Sequence, residues 1–159
     1  MSDKTPDTRE EAAAKIPALH VLMAMGYTYV SPGEALTMRG SGSGVLLESM
    51  LRERLKRYRF EHRGKSCALS PGGIDEVVRT LSSTGLTEGL IPANKALTSH
   101  ITKGITVTEF VDGEKTSKTI PLIDWTDDGA NDFHVVEEFS VQRPGGLGSY
   151  RPDIVVFVN

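Results

Sequence analysis

Arg151-Pro152-Asp153 stands directly before the apolar run Ile154-Val155-Val156-Phe157-Val158. Proline fixes the direction of the chain into that run. Asp153 is thereby placed where a polar loop meets a buried strand, half desolvated and open to solvent on one side. Such a carboxylate suits a hard cation, which takes oxygen ligands and keeps several of its waters. It suits an ordinary turn acid equally, because aspartate is a common turn residue. A second group is cationic. The stretch from Arg52 to Lys65 carries seven basic residues against two acidic ones. Arg52, Arg54, Lys56, Arg57, Arg59 and Arg63 have the character of backbone contacts to duplex DNA, where each neutralised phosphate adds sequence-independent, salt-sensitive affinity. They also have the character of a solvated helix face. Tyr58 interleaves with them but falls on the apolar side of the same helix.

Other constellations carry less. Asp124, Asp127, Asp128 and Asp132 lack the glycine and terminal glutamate spacing of a calcium-binding loop and read as turn and cap acids. His134 has no second His or Cys nearby to share a zinc ion. Cys67 is the one cysteine, so no disulfide forms within the chain and a reducing, cytoplasmic setting fits best. Gly145, Gly146 and Gly148 lack the strand–helix setting of a phosphate loop, and no G-x-x-x-x-G-K-[ST] occurs.

The elements that must position these groups come from a chain of 159 residues, the size of one ordinary domain. Hydrophobic residues are 38% and charged residues 25%, which excludes a wholly disordered chain. No apolar stretch approaches the roughly 20 residues of a membrane span. The polar, acidic Met1–Glu11 reads as neither signal nor transit peptide. The net charge of -3 hides an asymmetry. Residues 1–104 hold 14 basic and 11 acidic residues, and residues 105–159 hold 4 and 10. A polyanionic partner is therefore compatible with the acidic total.

Residues 1–104 read as mainly helical and 105–159 as mainly strands, within one domain. Thr8 and Glu11 form a capping-box pattern before a helix to about Met25, with Ile16, Leu19 and Met23 as its apolar stripe and Gly26 as its stop. Met38 to Gly44 reads as a loop, and Ser43 is placed to cap a helix over 45–60 striped by Leu47, Leu51, Leu55 and Tyr58. After a polar connector, Ser70-Pro71 opens a third helix with Ile74, Val77, Val78 and Leu81 inward. A fourth runs from Ile91 or Pro92 to Thr102, stopped by Gly104. Strands are expected at 105–111, 117–124, 133–142 and 152–158, the first two joined at Asp112-Gly113. Val135, Phe139 and Val141 are expected on one face of the third. The last strand is apolar on both faces and reads as a central strand covered from above and below. It ends at Asn159, a favoured turn residue, which predicts a further strand beyond the chain.

The runs Pro121–Trp125, Asn131–Val136, Glu138–Val141 and Arg151–Asn159 resemble the N-terminal nuclease domain of the motor (R) subunit of type I restriction enzymes. The front is similar too: Glu11-Ala12 opens a helix ending at Gly26-Tyr27, while Arg39, Val45–Glu48 and Leu51–Leu55 resemble the family's second helix. The match spans nearly the whole chain and is loosest over 63–104. It implies an α/β fold: a mixed, largely antiparallel sheet flanked by helices, with the Pro-Asp…Glu-x-Lys core of restriction endonucleases. It implies a Mg²⁺-dependent endonuclease domain that cuts double-stranded DNA in an ATP-driven complex with modification and specificity subunits, in a prokaryotic cytoplasm. ATP would serve a downstream motor and not this chain. By position, Asp153 takes the Pro-Asp role and Glu11 the helix-acid role, both as metal ligands and catalytic groups. The first helix should then pass near the start of the last strand. The chain departs from the pattern in lacking Glu-x-Lys. Glu53 is followed two residues on by Leu55, Glu109 by Val111 and Glu114 by Thr116. The resemblance therefore implies a core without its last elements, inactive alone. The alternative function is a non-catalytic DNA-binding or subunit-docking module.

Overall fold

The structure is a computed structural model and describes residues 14–39, 44–83, 89–143 and 148–159. In chain order, the helices are α1 (Ile16–Ala24), α2 (Pro32–Met38), α3 (Glu48–Arg57), α4 (Pro71–Ser82) and α5 (Leu90–Lys103). The strands are β1 (Thr28–Val30), β2 (Arg59–His62), β3 (Lys65–Ala68), β4 (Ile105–Val111), β5 (Glu114–Ile120), β6 (Phe133–Glu137), β7 (Val141–Gln142), β8 (Ser149–Tyr150) and β9 (Ile154–Val158). The α/β class is as expected. The sheet is not one continuous sheet: the strands form a three-stranded mixed sheet and three separate two-stranded ribbons. Among the described residues they belong to two compact units, one comprising 14–37, 132–143 and 148–158, the other 38–39, 44–83, 89–131 and Asn159.

In the first unit, α1 ends as its sequence dictates. Gly26 takes φ +98, and the amides of Gly26 and Tyr27 return to the carbonyls of Met23 and Leu22 at 3.0 Å each. That double bond closes the last turn around a left-handed residue. Of the expected stripe only Leu19 is buried; Ile16 and Met23 are about half exposed. Helix α2, absent from the sequence reading, starts at a capping box in which the Ser31 amide and hydroxyl donate to Glu34 Oε2 and the Glu34 amide donates back to Ser31 Oγ. The sheet order is β1-β6-β9, with β1 parallel and β9 antiparallel to β6. Val135 and Val136, adjacent in β6, are both fully buried. Side chains alternate along a strand, so β6 is covered on both faces.

Two expectations are thereby corrected. The strand covered on both faces is β6, whereas β9 lies at the edge among the described residues and leaves Val156 48% exposed. The strand expected over 133–142 stops at Glu137, because Glu138 adopts φ +50 and turns the chain out of the ladder. Val135 and Phe139 are still buried, but not as one face of a single strand. Val141 belongs to the short β7–β8 ribbon.

The second unit packs α3, α4 and its two hairpins around Leu51, Leu55, Phe60, Ile74, Val77 and Ile120. The α3 and α4 stripes are as expected, and Ser70 caps α4 by accepting from the Gly73 amide at 3.0 Å. The helix expected over 45–60 is shorter, because Tyr58 takes an extended conformation and starts β2. The expected Ser43 cap, like Thr8, Glu11, Gly145 and Gly146, lies outside the described residues. Both hairpins turn on two residues with positive φ, Arg63-Gly64 and Asp112-Gly113. This geometry matches the twist of the flanking strands. A two-residue turn brings the return arm in at once, so β5 begins at Glu114 rather than at residue 117, and it ends before Pro121.

Candidate active-site cluster at the mouth of β9

Asp153 sits one residue before β9, exposed to solvent. Among the described residues its carboxylate makes no hydrogen bond or ion pair. Its backbone is held: the Glu138 amide donates to the Asp153 carbonyl at 3.0 Å, extending the β6–β9 ladder by one bond. Glu137 and Glu138, at the end of β6, gather charge and hydroxyl donors around this point. Lys15, just before α1, places Nζ 3.0 Å from Glu138 Oε1 and 3.5 Å from Glu137 Oε2. The other Glu138 oxygen lies 3.4 Å from Arg151 Nη1. Tyr29 of β1 donates its hydroxyl to Glu137 Oε1 at 2.6 Å.

The electrostatics follow from these contacts. The hydrogen bond from Lys15, then the charge of Arg151, hold the Glu138 carboxyl below its ordinary range. The hydrogen bond to Glu137, with burial adding to it, pushes the Tyr29 phenol up to about 12, because a phenolate beside a carboxylate loses the bond and gains repulsion. A cavity of about 510 Å³ opens next to the cluster, walled by Ile16, Leu19, Met23 and Pro32 and ending at Lys15, Tyr29 and the two glutamates.

The first helix was expected to pass near the start of the last strand and bring Glu11 toward Asp153; what the described residues place there is Lys15, just before α1, paired with Glu137 and Glu138 at the end of β6. Glu11 lies outside the described residues, four positions earlier in sequence. Lys15, Tyr29, Glu137 and Glu138 were not singled out from sequence. The available signal was a pair of acids following a four-residue strand core, Phe133-His134-Val135-Val136. As for Mg²⁺, Asp153 fits one ligand position: a hard oxygen donor, exposed and unclaimed among the described residues. Glu137 and Glu138 do not fit, since their oxygens already accept from Tyr29, Lys15 and Arg151. No group of three or more His, Cys, Asp and Glu that could hold a metal occurs among the described residues.

In the second unit, much of the basic run is internally matched. Arg52 pairs with Glu48 at 2.9 Å and Asp75 at 2.6 Å, Lys56 with Glu53 at 2.6 Å, and Arg63 with Glu114 at 2.6 Å. Arg59 donates to the carbonyls of Lys56 and Tyr58. Arg54 is half-buried and its charge helps hold the Asp124 carboxyl below its usual range, after the stronger effect of the Thr126 hydroxyl and the amides of Thr126 and Asp127. Arg57 is exposed. The acids from Asp124 to Asp128 are the turn and cap residues expected: Asp124 Oδ1 accepts from Thr126 and Asp127, and Asp127 Oδ1 from the Gly129 amide. Asn131 pairs with the Asp124 backbone in both directions at 2.8 Å.

The sequence model of the family described as Type I restriction enzyme R protein N terminus (HSDR_N) matches residues 7–159. The chain is 25% identical over 146 residues to the Type I restriction enzyme HindI endonuclease subunit of Haemophilus influenzae (strain ATCC 51907 / DSM 11121 / KW20 / Rd). That alignment covers 89% of this chain and 13% of the relative, so the chain spans about an eighth of its relative's length. No solved structure matches the chain. No described helix is long and apolar enough to cross a membrane.

Proposed function

The chain belongs to the family of type I restriction enzyme R protein N-terminal domains, and from that premise we propose that it is the Mg²⁺-dependent nuclease domain of such a subunit, cutting double-stranded DNA. The observation that carries this is Asp153: a solvent-facing carboxylate, unclaimed among the described residues and backbone-anchored at the mouth of β9. Asp153 and Glu11 are its metal ligands and catalytic acids. A bound Mg²⁺ supplies an activated water and neutralises charge on the phosphate under attack. The Asp153 segment contributes a fixed hard donor, and Glu11 would contribute a second. The lysine that faces the phosphate, and its companion glutamate, belong to a Glu-x-Lys strand that these residues lack. The parent complex uses ATP in its motor, and its partners are DNA and the modification and specificity subunits, in a prokaryotic cytoplasm.

Supercoiled plasmid with Mg²⁺ tests this. The full-length protein in its complex should cut, Asp153→Ala should abolish cutting, and a polypeptide of residues 1–159 should leave the plasmid intact. Cutting by full-length Asp153→Ala at the wild-type rate would refute the assignment.

A second function rests on the exposed Arg57 and Arg59: a DNA-binding or docking module without chemistry. Arg54 would join them, as would Arg52, Lys56 and Arg63 by exchanging their carboxylate partners for phosphate. Charge reversal at Arg57 and Arg59 should then flatten the salt dependence of DNA binding by about two log units per log unit of salt. An unchanged slope removes these arginines from the interface.

A further inference from the structure

Resting on the nuclease function above, we propose that Glu138 is a positioning residue for Asp153, pinning the Arg151-Pro152-Asp153 segment and the start of α1 to the end of β6. The assignment comes from one residue holding both segments at once. Its amide binds the Asp153 carbonyl at 3.0 Å. Its Oε2 lies 3.4 Å from Arg151, two residues before Asp153, and its Oε1 lies 3.0 Å from Lys15. Lys15 is well shielded, with a side chain only 15% exposed, and it also reaches Glu137, which Tyr29 holds from β1.

The backbone points the same way. Glu138 is a non-glycine residue at φ +50, a conformation that costs energy and persists only where surrounding contacts fix it. At the end of β6 those contacts are Lys15, Arg151 and Asp153. An extended residue there would carry the strand straight on. The left-handed residue instead turns the side chain toward both cations while its amide still completes the ladder. Pro152 stiffens the link between Arg151 and Asp153, so fixing the arginine restricts the aspartate. Groups that orient a metal ligand without touching the metal commonly change its affinity about 10- to 100-fold when removed.

The experiment compares wild type, Glu138→Gln, Glu138→Asp and Asp153→Ala as full-length protein in its complex, with ATP saturating. Three quantities are read: the Mg²⁺ concentration for half-maximal cleavage, the exchange rate of the amide at position 138, and the melting temperature. Glu138→Gln keeps the shape but loses the charge. It should raise half-saturating Mg²⁺ about tenfold and speed exchange at 138, while the rate at saturating Mg²⁺ stays within about twofold of wild type. Glu138→Asp should recover most of the Mg²⁺ affinity. If Glu138→Gln shows wild-type Mg²⁺ dependence, with or without a lower melting temperature, while Asp153→Ala abolishes cleavage, the positioning role is overturned and the nuclease function stands. If Asp153→Ala cleaves as wild type, the nuclease function falls and the positioning role with it.

Discussion

Gly73→Ala is a change that helix propensity alone would favour and that the packing forbids. Gly73 is buried in the first turn of α4, and a Cβ built on it overlaps Glu109 Oε1, with Glu109 Cδ at 3.1 Å and Ser70 Oγ at 3.4 Å. Glu109 is only 2% exposed. Its carboxylate accepts from the Ser70 hydroxyl at 3.1 Å and from the Ser70 amide at 3.2 and 3.3 Å. The glutamate can retreat from a new methyl only by surrendering those bonds, and it retreats into the core. Losing two bonds to a charged acceptor costs ~3 kcal/mol or more. Replacing glycine by alanine in a helix returns ~1 kcal/mol. The net loss is ~2 kcal/mol, which for a chain of this size lowers the melting temperature by ~4–8 °C. Thermal unfolding followed by circular dichroism reads this directly. The same substitution in a Glu109→Ala background meets no carboxylate and should stabilise by ~1 kcal/mol. An unchanged or raised melting temperature for Gly73→Ala in the wild-type background would refute the reasoning.

Two further outcomes follow from other close contacts. Gly104 links α5 to β4 at φ +84, ψ 179, and a Cβ there lies 2.9 Å from the Ile120 carbonyl carbon and 3.2 Å from the Pro121 nitrogen. Gly104→Ala should therefore cost ~2–4 kcal/mol in a urea melt, since backbone cannot step aside as a side chain can. Tyr29, with its phenol pushed up to about 12, should resist ionisation in an ultraviolet titration until well above pH 10, and Glu137→Gln should bring it back toward 10. The unfolded chain loses that proton first, so the stability Tyr29 contributes is intact below pH 10 and declines between pH 10 and about 12.

Where local chemistry decides the structure, the sequence was legible. Ser70-Pro71, Gly26, Gly104 and Asp112-Gly113 each act within a few residues, and each capped, stopped or turned the chain as its side chain requires. Long-range choices were not legible. The pairing of β1 with β6 joins residues about a hundred apart, and three residues, Thr28–Val30, carry no periodicity to announce it. The short β2–β3 hairpin offers only Phe60 to the core, so residues 59–60 read as the end of the preceding helix and 61–68 as a connector even though Arg63-Gly64 held a turn signal. Ser31-Pro32-Gly33-Glu34 held the start of α2 in the same way. At the candidate site, Asp153 was visible because proline and an apolar run frame it. Lys15, Tyr29 and Glu138 were not, since only the folded sheet brings residues from four segments to one point.

The hairpin tips of the second unit carry a consequence for how this surface behaves as an electrolyte. Arg63 is matched to Glu114 and Lys65 to Asp112 across the two turns, just as Arg52 and Lys56 are matched along and beside α3. Each such cation already owns a built-in counter-anion. A nucleic acid reaching this face would trade one anion for another: its phosphates would shed cations while the displaced carboxylates took them up, leaving little net release at those positions. Its grip there would come from geometry, and added salt would change that grip little.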